Sequence, residues 1–300
     1  MVVCVPPPFS RRSSGTVCVM DINYNSAAAL QTFLAENGLG MRKKFGQNFL
    51  INPGVRQSLA SALEAQAGDS VWEIGPGLGA MTSLLLEQGL CVRAFEIDSG
   101  FVRILKELFS ANANFALVEG DVLKTWPTQP AVPYLLGNLP YNIAATLLAD
   151  FIEQGHFFKR IIVTVQREVA QRMAAPPGSA DYSSFSVLCA SAYRVKPLTV
   201  IKSASFYPRP RVDSQAVLLE QKPQTEYPAC FYPLVRRLFS ARRKTIKNNL
   251  TAFFASRGKA ATLPAEALAQ CGMNGGRRAE DLAIDEFLAL AKTIEDMGIL

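Results

Sequence analysis

Asn138-Leu139-Pro140-Tyr141 is the stretch of this chain whose side chains most directly suggest a reaction. It follows an apolar run, Tyr134-Leu135-Leu136-Gly137, that reads as a strand, so it falls in the turn at that strand's carboxyl end. Asn138 offers a carbonyl acceptor, and Pro140 stiffens the turn while lacking a backbone donor, which leaves neighbouring carbonyls free to accept. Tyr141 offers a flat face for an aromatic ring. Together these suit an exocyclic amine on such a ring. That nitrogen is a weak nucleophile, because its lone pair is delocalised into the ring. Two acceptors drawing on its two N–H bonds favour a pyramidal nitrogen, whose lone pair can then point at an electrophilic methyl group. No strong base is required before attack, since the proton leaves easily once the nitrogen is cationic. The chain has a single histidine, His156, which disfavours zinc chemistry and His-activated nucleophiles, and no metal centre is expected.

A second pattern lies upstream. The run Val71-Trp72-Glu73-Ile74 leads into Gly75-Pro76-Gly77-Leu78-Gly79, and Met81, Leu84, Leu85 and Leu86 then continue at helical spacing. A strand turning on glycines into a helix brings backbone N–H groups close to a ligand with no Cβ between. The next apolar run, 92–97, carries Glu96, 21 residues after Gly75, where a doubly wound α/β domain places the acid that grips two ribose hydroxyls. Asp121 follows a third run, 115–118, and a fifth run spans 161–165. The alternation predicts an α/β fold with a mostly parallel, doubly wound sheet and a crevice at the carboxyl ends of its strands. The glycine spacing is not G-x-G-x-x-G, and no Gly-Lys-Ser/Thr follows. Glu73, Glu96 and Asp121 would repel a pyrophosphate, whereas a cationic cofactor with a ribose and an adenine would be welcome. S-adenosylmethionine fits.

Composition sets the wider frame. With 49% apolar and 19% charged side chains in 300 residues, the chain can fill a core and is not a disordered tail protein. No apolar window is long enough for a membrane span, and no membrane partner is expected. Six dispersed cysteines without a Cys-x-x-Cys pair suit a reducing, cytoplasmic setting. The net charge of +6 is unevenly placed. Residues 71–155 hold four basic and nine acidic side chains, a net −5, whereas 236–247 hold six basic side chains and no acid. Arg42-Lys43-Lys44 forms another basic cluster, and two such flanks suggest a polyanion gripped on both sides. Leu238, Phe239, Ile246, Leu250, Phe253 and Phe254 predict one long amphipathic helix carrying Arg242, Arg243 and Lys244 in a small helical domain. Three parts are expected: a flexible extension at 1–24 (or a start placed upstream of the true one), a methyltransferase domain at 25–222 and a helical RNA-binding domain at 223–300.

These motifs resemble one family in order along the chain. They are Lys44-Phe45-Gly46-Gln47-Asn48-Phe49-Leu50, Glu73-Ile74-Gly75-Pro76-Gly77, Glu96-Ile97-Asp98, Gly120-Asp121 and Asn138-Leu139-Pro140-Tyr141. The likeness continues through 166–172, 182–187, Phe206-Tyr207-Pro208-Arg209-Pro210, Arg242-Arg243-Lys244-Thr245 and 277–282. The chain is similar to the KsgA family, small-subunit ribosomal RNA adenine N6,N6-dimethyltransferases, although Met81 stands where Leu is commoner. The resemblance implies that Asn48 and Leu50 line the methionine end of the cofactor, with Gly75 and Gly77 in the turn beneath. It further implies that Glu96 holds the ribose, Asp121 the adenine amino group, and that Asn138 lies between cofactor and target amine. Phe206 would be a second aromatic wall beside Tyr141. The implied partner is small-subunit rRNA in an immature 30S-type subunit, with the protein acting as a monomer during ribosome biogenesis. Two adjacent adenosines near the 3′ end would each be methylated twice. A large-subunit rRNA methyltransferase of the antibiotic-resistance type, a DNA amino-methyltransferase, and a non-catalytic assembly or transcription cofactor with the same fold are the alternatives.

Overall fold

A computed structural model describes residues 22–42, 46–223 and 226–298. The expected extension lies outside these residues except for its last three, as do Lys43 and Lys44 of the first basic cluster. Those last three are not loose. Ile22 is buried against Leu30, Leu34, Leu78, Phe101 and Ile104, and the Tyr24 hydroxyl donates to the Leu78 carbonyl at 2.9 Å. The packed domain therefore reaches at least to residue 22.

Nine strands occur among the described residues: β1 (Phe49–Leu50), β2 (Ser70–Ile74), β3 (Cys91–Glu96), β4 (Phe115–Glu119), β5 (Tyr134–Asn138), β6 (Arg160–Gln166), β7 (Tyr193–Ile201), β8 (Phe206–Tyr207) and β9 (Ser214–Gln221). Seven form a sheet in the order β4-β3-β2-β5-β6-β9-β7, while β1 and β8 make a separate antiparallel ribbon. The first five sheet strands run parallel, and β9 and β7 add antiparallel at one edge. The central runs are apolar on both faces because helices cover both. Trp72, Ile74, Leu135, Val163 and Val217 face one layer, with helices Ala144–Glu153, Arg167–Ala174 and Ser184–Ala192. Val71, Tyr134, Leu136, Ile162 and Ala216 face the other, with Pro53–Ala62 and Ala80–Glu87. This alternation is the period of two that a strand imposes.

Strand order reverses between β2 and β5, so the helices after these strands leave on opposite faces and open a crevice at the strands' carboxyl ends. His156 lies far from any such role. It stacks on Trp72 with ring centroids 4.9 Å apart, within a cluster of Trp126, Phe151 and Phe158, and burial pulls its pKa down.

The carboxyl-terminal part is helical and has its own apolar cluster, which also takes in Tyr182 and Val187. The expected single long helix is two, Phe231–Phe239 and Ile246–Ala255. Apolar periodicity runs through the break, so side-chain burial alone did not reveal it. The cause lies in polar groups. Buried Asn249 turns its Nδ2 back to the carbonyls of Leu238 and Ala241, at 2.8 and 3.3 Å, and so caps the first helix. Thr245 caps the start of the second and bridges to Arg278. Arg242, Arg243 and Lys244 thus sit in an exposed turn rather than along a helix face.

Candidate active site

The crevice is a cavity of about 310 Å³ at the carboxyl ends of β2, β3, β4 and β5. The turn after β2 forms its floor. Gly75, Gly77 and Gly79 all have positive φ, and a Cβ on Gly77 would stand 2.9 Å from the Phe49 ring. Glycine at 77 therefore lets the segment before β1 close down over the turn. That segment is held from the other side as well, because Gln47 Nε2 donates to Asp98 Oδ2 at 3.1 Å.

Glu96 ends β3 with its carboxylate fixed by two backbone donors, Gly77 N at 3.2 Å on Oε2 and Asp98 N at 2.8 Å on Oε1. Asp121 follows β4 and caps the next helical turn, its Oδ1 accepting from Leu123 N at 3.1 Å. Ile97, immediately after Glu96, is a cavity-lining side chain left 44% exposed, an apolar wall open to a flat ring. Glu73, at the centre of the floor, accepts from the Thr82 hydroxyl at 2.6 Å. Burial raises its pKa to about 7, with the nearby Glu96 charge adding to the effect and the Thr82 hydrogen bond opposing it. Burial likewise raises Glu96 to about 7, against its two backbone donors.

Asn138 ends β5 at the opposite wall. Its Nδ2 donates to the Asn48 carbonyl at 2.7 Å, and a carbonyl partner fixes which end of the amide carries nitrogen. Oδ1 is then the end left to accept. The Pro140 carbonyl is taken by the amides of Ile143 and Ala144, at 3.1 and 3.2 Å, where the next helix begins. The carbonyl of Leu139 accepts no hydrogen bond among the described residues, since the helix that follows starts its bonds from the Pro140 carbonyl. Asn138 Oδ1 and the Leu139 carbonyl are thus two acceptors in adjacent residues.

The profile of the family described as "Ribosomal RNA adenine dimethylase" matches residues 38–296. The chain belongs to that family. It is 46% identical over 286 residues to the Ribosomal RNA small subunit methyltransferase A of Treponema denticola, covering 91% of this chain and 96% of that one. It is 37% identical over 277 residues to the protein of the same name from Borrelia garinii, covering 92% and 96%. Among solved structures, a dimethyladenosine transferase from Plasmodium falciparum superposes with a TM-score of 0.70 at 26% identity, over 82% of this chain and 97% of that one. The 23S rRNA methyltransferase ErmE shares the fold, with a TM-score of 0.61 at 22% identity over 82% and 99%.

For a member of the ribosomal RNA adenine dimethylase family, the residues expected at the site divide clearly. Asn48, Leu50, Gly75, Gly77, Glu96, Asp121, Asn138 and Pro140 line one cavity. Leu139 does not, its side chain being buried in the core. Tyr141 is half-buried beyond the cavity wall, its hydroxyl 2.6 Å from Ser214 Oγ. Phe206 departs from the expected open wall. It is only 2% exposed, pairs with Leu50 across the ribbon and packs with Leu59, Ile201 and Leu218, so its ring serves the core in this conformation. Arg242 is committed as well: it pairs with Glu280 at 2.8 Å and donates to the Ala180 carbonyl at 3.0 Å. Glu73, expected only as one of three acids facing a cationic cofactor, is also in the wall, as are Ile97 and Arg56, which were not expected. Ile97 could have been found by its place beside the strand-end acid. Arg56, on a helix, gave no such signal.

The Glu73 carboxyl has a sign that can be tested. Its folded pKa of about 7 lies above the usual 4.5, so the folded state keeps a proton that the unfolded chain gives up, and stability falls as pH rises through that window. Glu73→Gln keeps an acceptor for Thr82 and removes the titration. The variant is expected to match the parent near pH 4 and to exceed it by pH 8, by on the order of 3 kcal/mol at most. Melting curves at the two pH values check this, and a constant difference would contradict it.

Proposed function

We propose that this protein uses S-adenosylmethionine to dimethylate adenosine N6 in small-subunit ribosomal RNA. The observation that carries the reading is Asn138 at the end of β5, its amide oriented by the Asn48 carbonyl so that Oδ1 is left to accept, in the same cavity as Glu96. When bound, the cofactor supplies a methyl group on a sulfonium, and the acidic wall of Glu73, Glu96 and Asp121 suits that positive charge. Glu96, oriented by Gly77 N and Asp98 N, is the acceptor for a ribose diol. Asp121 would accept from the adenine amino group, with Ile97 and Val122 as apolar walls. Asn48 and Leu50 close the cavity over the remaining tail.

At the target, Asn138 Oδ1 and the Leu139 carbonyl draw on the two N–H bonds of the adenine amine and turn its lone pair toward the methyl. A monomethylated amine keeps one N–H, which one of the two acceptors would hold while the first methyl takes the other N–H's place, leaving the lone pair for a second transfer. Tyr141, half-buried beside the cavity wall, would stack a flipped base. Phe206 would have to swing out of its packing to join it. The names of the relatives favour the small subunit over the large, since the resemblance to ErmE is one of fold.

Incubation with labelled donor and immature ribosomal subunits, followed by mapping of modified nucleotides, tests the substrate. Dimethyladenosine in the small-subunit RNA is expected, and modification confined to the large subunit would overturn the choice. Asn138→Ala is expected to lower methyl transfer by about 10²-fold or more while RNA affinity stays within twofold. Full activity in that variant would remove the basis for the mechanism. Arg243 and Lys244 are the cations of the turn without an ion pair among the described residues. Replacing both with Gln is expected to weaken RNA binding and lower the slope of log K against log salt by roughly 1–2. An unchanged slope would place the phosphate contacts elsewhere.

A further inference from the structure

The cavity wall holds four charged side chains, and three of them, Glu73, Glu96 and Asp121, are acids. The fourth is Arg56, on the helix Pro53–Ala62 that follows β1. It is 7% exposed, which is unusual for an arginine without a carboxylate partner. None of the ion pairs among the described residues includes it. Its hydrogen bonds go to neutral oxygens: Nη1 to the carbonyls of Leu50 at 2.6 Å and Tyr24 at 3.4 Å, and Nη2 to Asn25 Oδ1 at 2.5 Å. Of the five N–H groups of a guanidinium, that leaves Nε–H and one on Nη2 unspent among the described residues. A buried charge with no counter-ion is costly, and an anion brought to the unspent N–H groups would offset that cost.

We propose that Arg56 receives the α-carboxylate of the methyl donor's amino-acid tail and makes the site discriminate between donors with and without that group. The proposal rests on the S-adenosylmethionine reading above and extends it. With the ribose at Glu96 and the reactive methyl facing Asn138, the tail must leave the sulfur toward the remaining wall, which residues 46–50 and Arg56 form. The tail carries one positive and one negative group. The positive ammonium has Glu73 and its neighbours to choose from, but the carboxylate has three acids to avoid and one cation to meet. A guanidinium is suited to it, since its planar fork matches a carboxylate and its charge survives burial. Arg56 is also joined to the catalytic wall through short chain: it holds the Leu50 carbonyl, two residues from the Asn48 carbonyl that orients Asn138.

Calorimetric titration with S-adenosylhomocysteine, and with the same molecule lacking its α-carboxylate, separates this role from a merely structural one. Arg56→Gln is expected to bind S-adenosylhomocysteine about 10- to 100-fold more weakly, with affinity for the decarboxylated analogue within twofold of the parent. Arg56→Lys keeps the charge without the fork and is expected to retain part of the preference, which covers the case in which the Gln variant does not fold. Equal losses for both ligands in a folded variant would make Arg56 a staple for Tyr24, Asn25 and Leu50, and unchanged binding of both would leave it no part in recognition. Either result overturns the proposal. Failure of the unaltered protein to bind either compound would instead strike the donor reading itself, and the proposal with it.

Discussion

One hydrogen bond, from Asn138 Nδ2 to the Asn48 carbonyl, joins chain segments 90 residues apart and governs what the crevice can do. It closes the segment before β1 over the glycine turn, and it decides which end of the Asn138 amide is offered to a substrate. An amide free to rotate would present nitrogen as readily as oxygen. A donor there would repel an amine's hydrogens and leave its lone pair in the ring. The other acceptor, the Leu139 carbonyl, is left over because the next helix starts its bonds from the Pro140 carbonyl, and the Leu139 side chain is anchored in the core. On the proposed mechanism the reactive feature is a backbone carbonyl and an amide, and no titrating base is called for.

The opposite wall is a matter of charge. Buried acids at the ends of β2 and β3 are costly to ionise, and their raised pKa values express that cost. A cationic ligand lowers it. The same acids that burden the free protein would therefore be favourable partners for the proposed sulfonium, and the acidic central segment contrasts with the basic turn of the helical part. That turn is anchored through Arg242, whose bonds to Glu280 and Ala180 join the helical part to the loop before helix Ser184–Ala192, as do the Gly178 amide on the Glu280 carbonyl and the Tyr182 hydroxyl on the Leu282 carbonyl. A cation expected to contact phosphate instead fixes where its two neighbours stand.

Much of this was legible in the sequence, for physical reasons that differ from one residue to the next. The parallel strands declared themselves because burial on two faces demands continuous apolar runs, and Glu96, Asp121 and Asn138 followed because strand ends are where such a sheet opens. The β1–β8 ribbon and the antiparallel edge of β9 and β7 were not read, since short or half-exposed strands leave a weaker pattern. The break between helices Phe231–Phe239 and Ile246–Ala255 was hidden by an apolar period that continues across it, while its cause, Asn249, looked like any polar helix residue. The packing of Phe206, the ion pair of Arg242 and the place of Arg56 in the cavity wall were not read, for one reason. Their roles depend on partners far away in the chain, and spacing says nothing of those.

The central claim is that Asn138 presents an oxygen to the amine beside a donor seated on Glu96. Determining the structure with S-adenosylhomocysteine bound tests it most directly. The account predicts ribose hydroxyls on the Glu96 carboxylate, the sulfur facing Asn138 across open space, and Asn138 Nδ2 still on the Asn48 carbonyl. A ligand seated away from Glu96, or an Asn138 side chain turned out of the cavity, would contradict it.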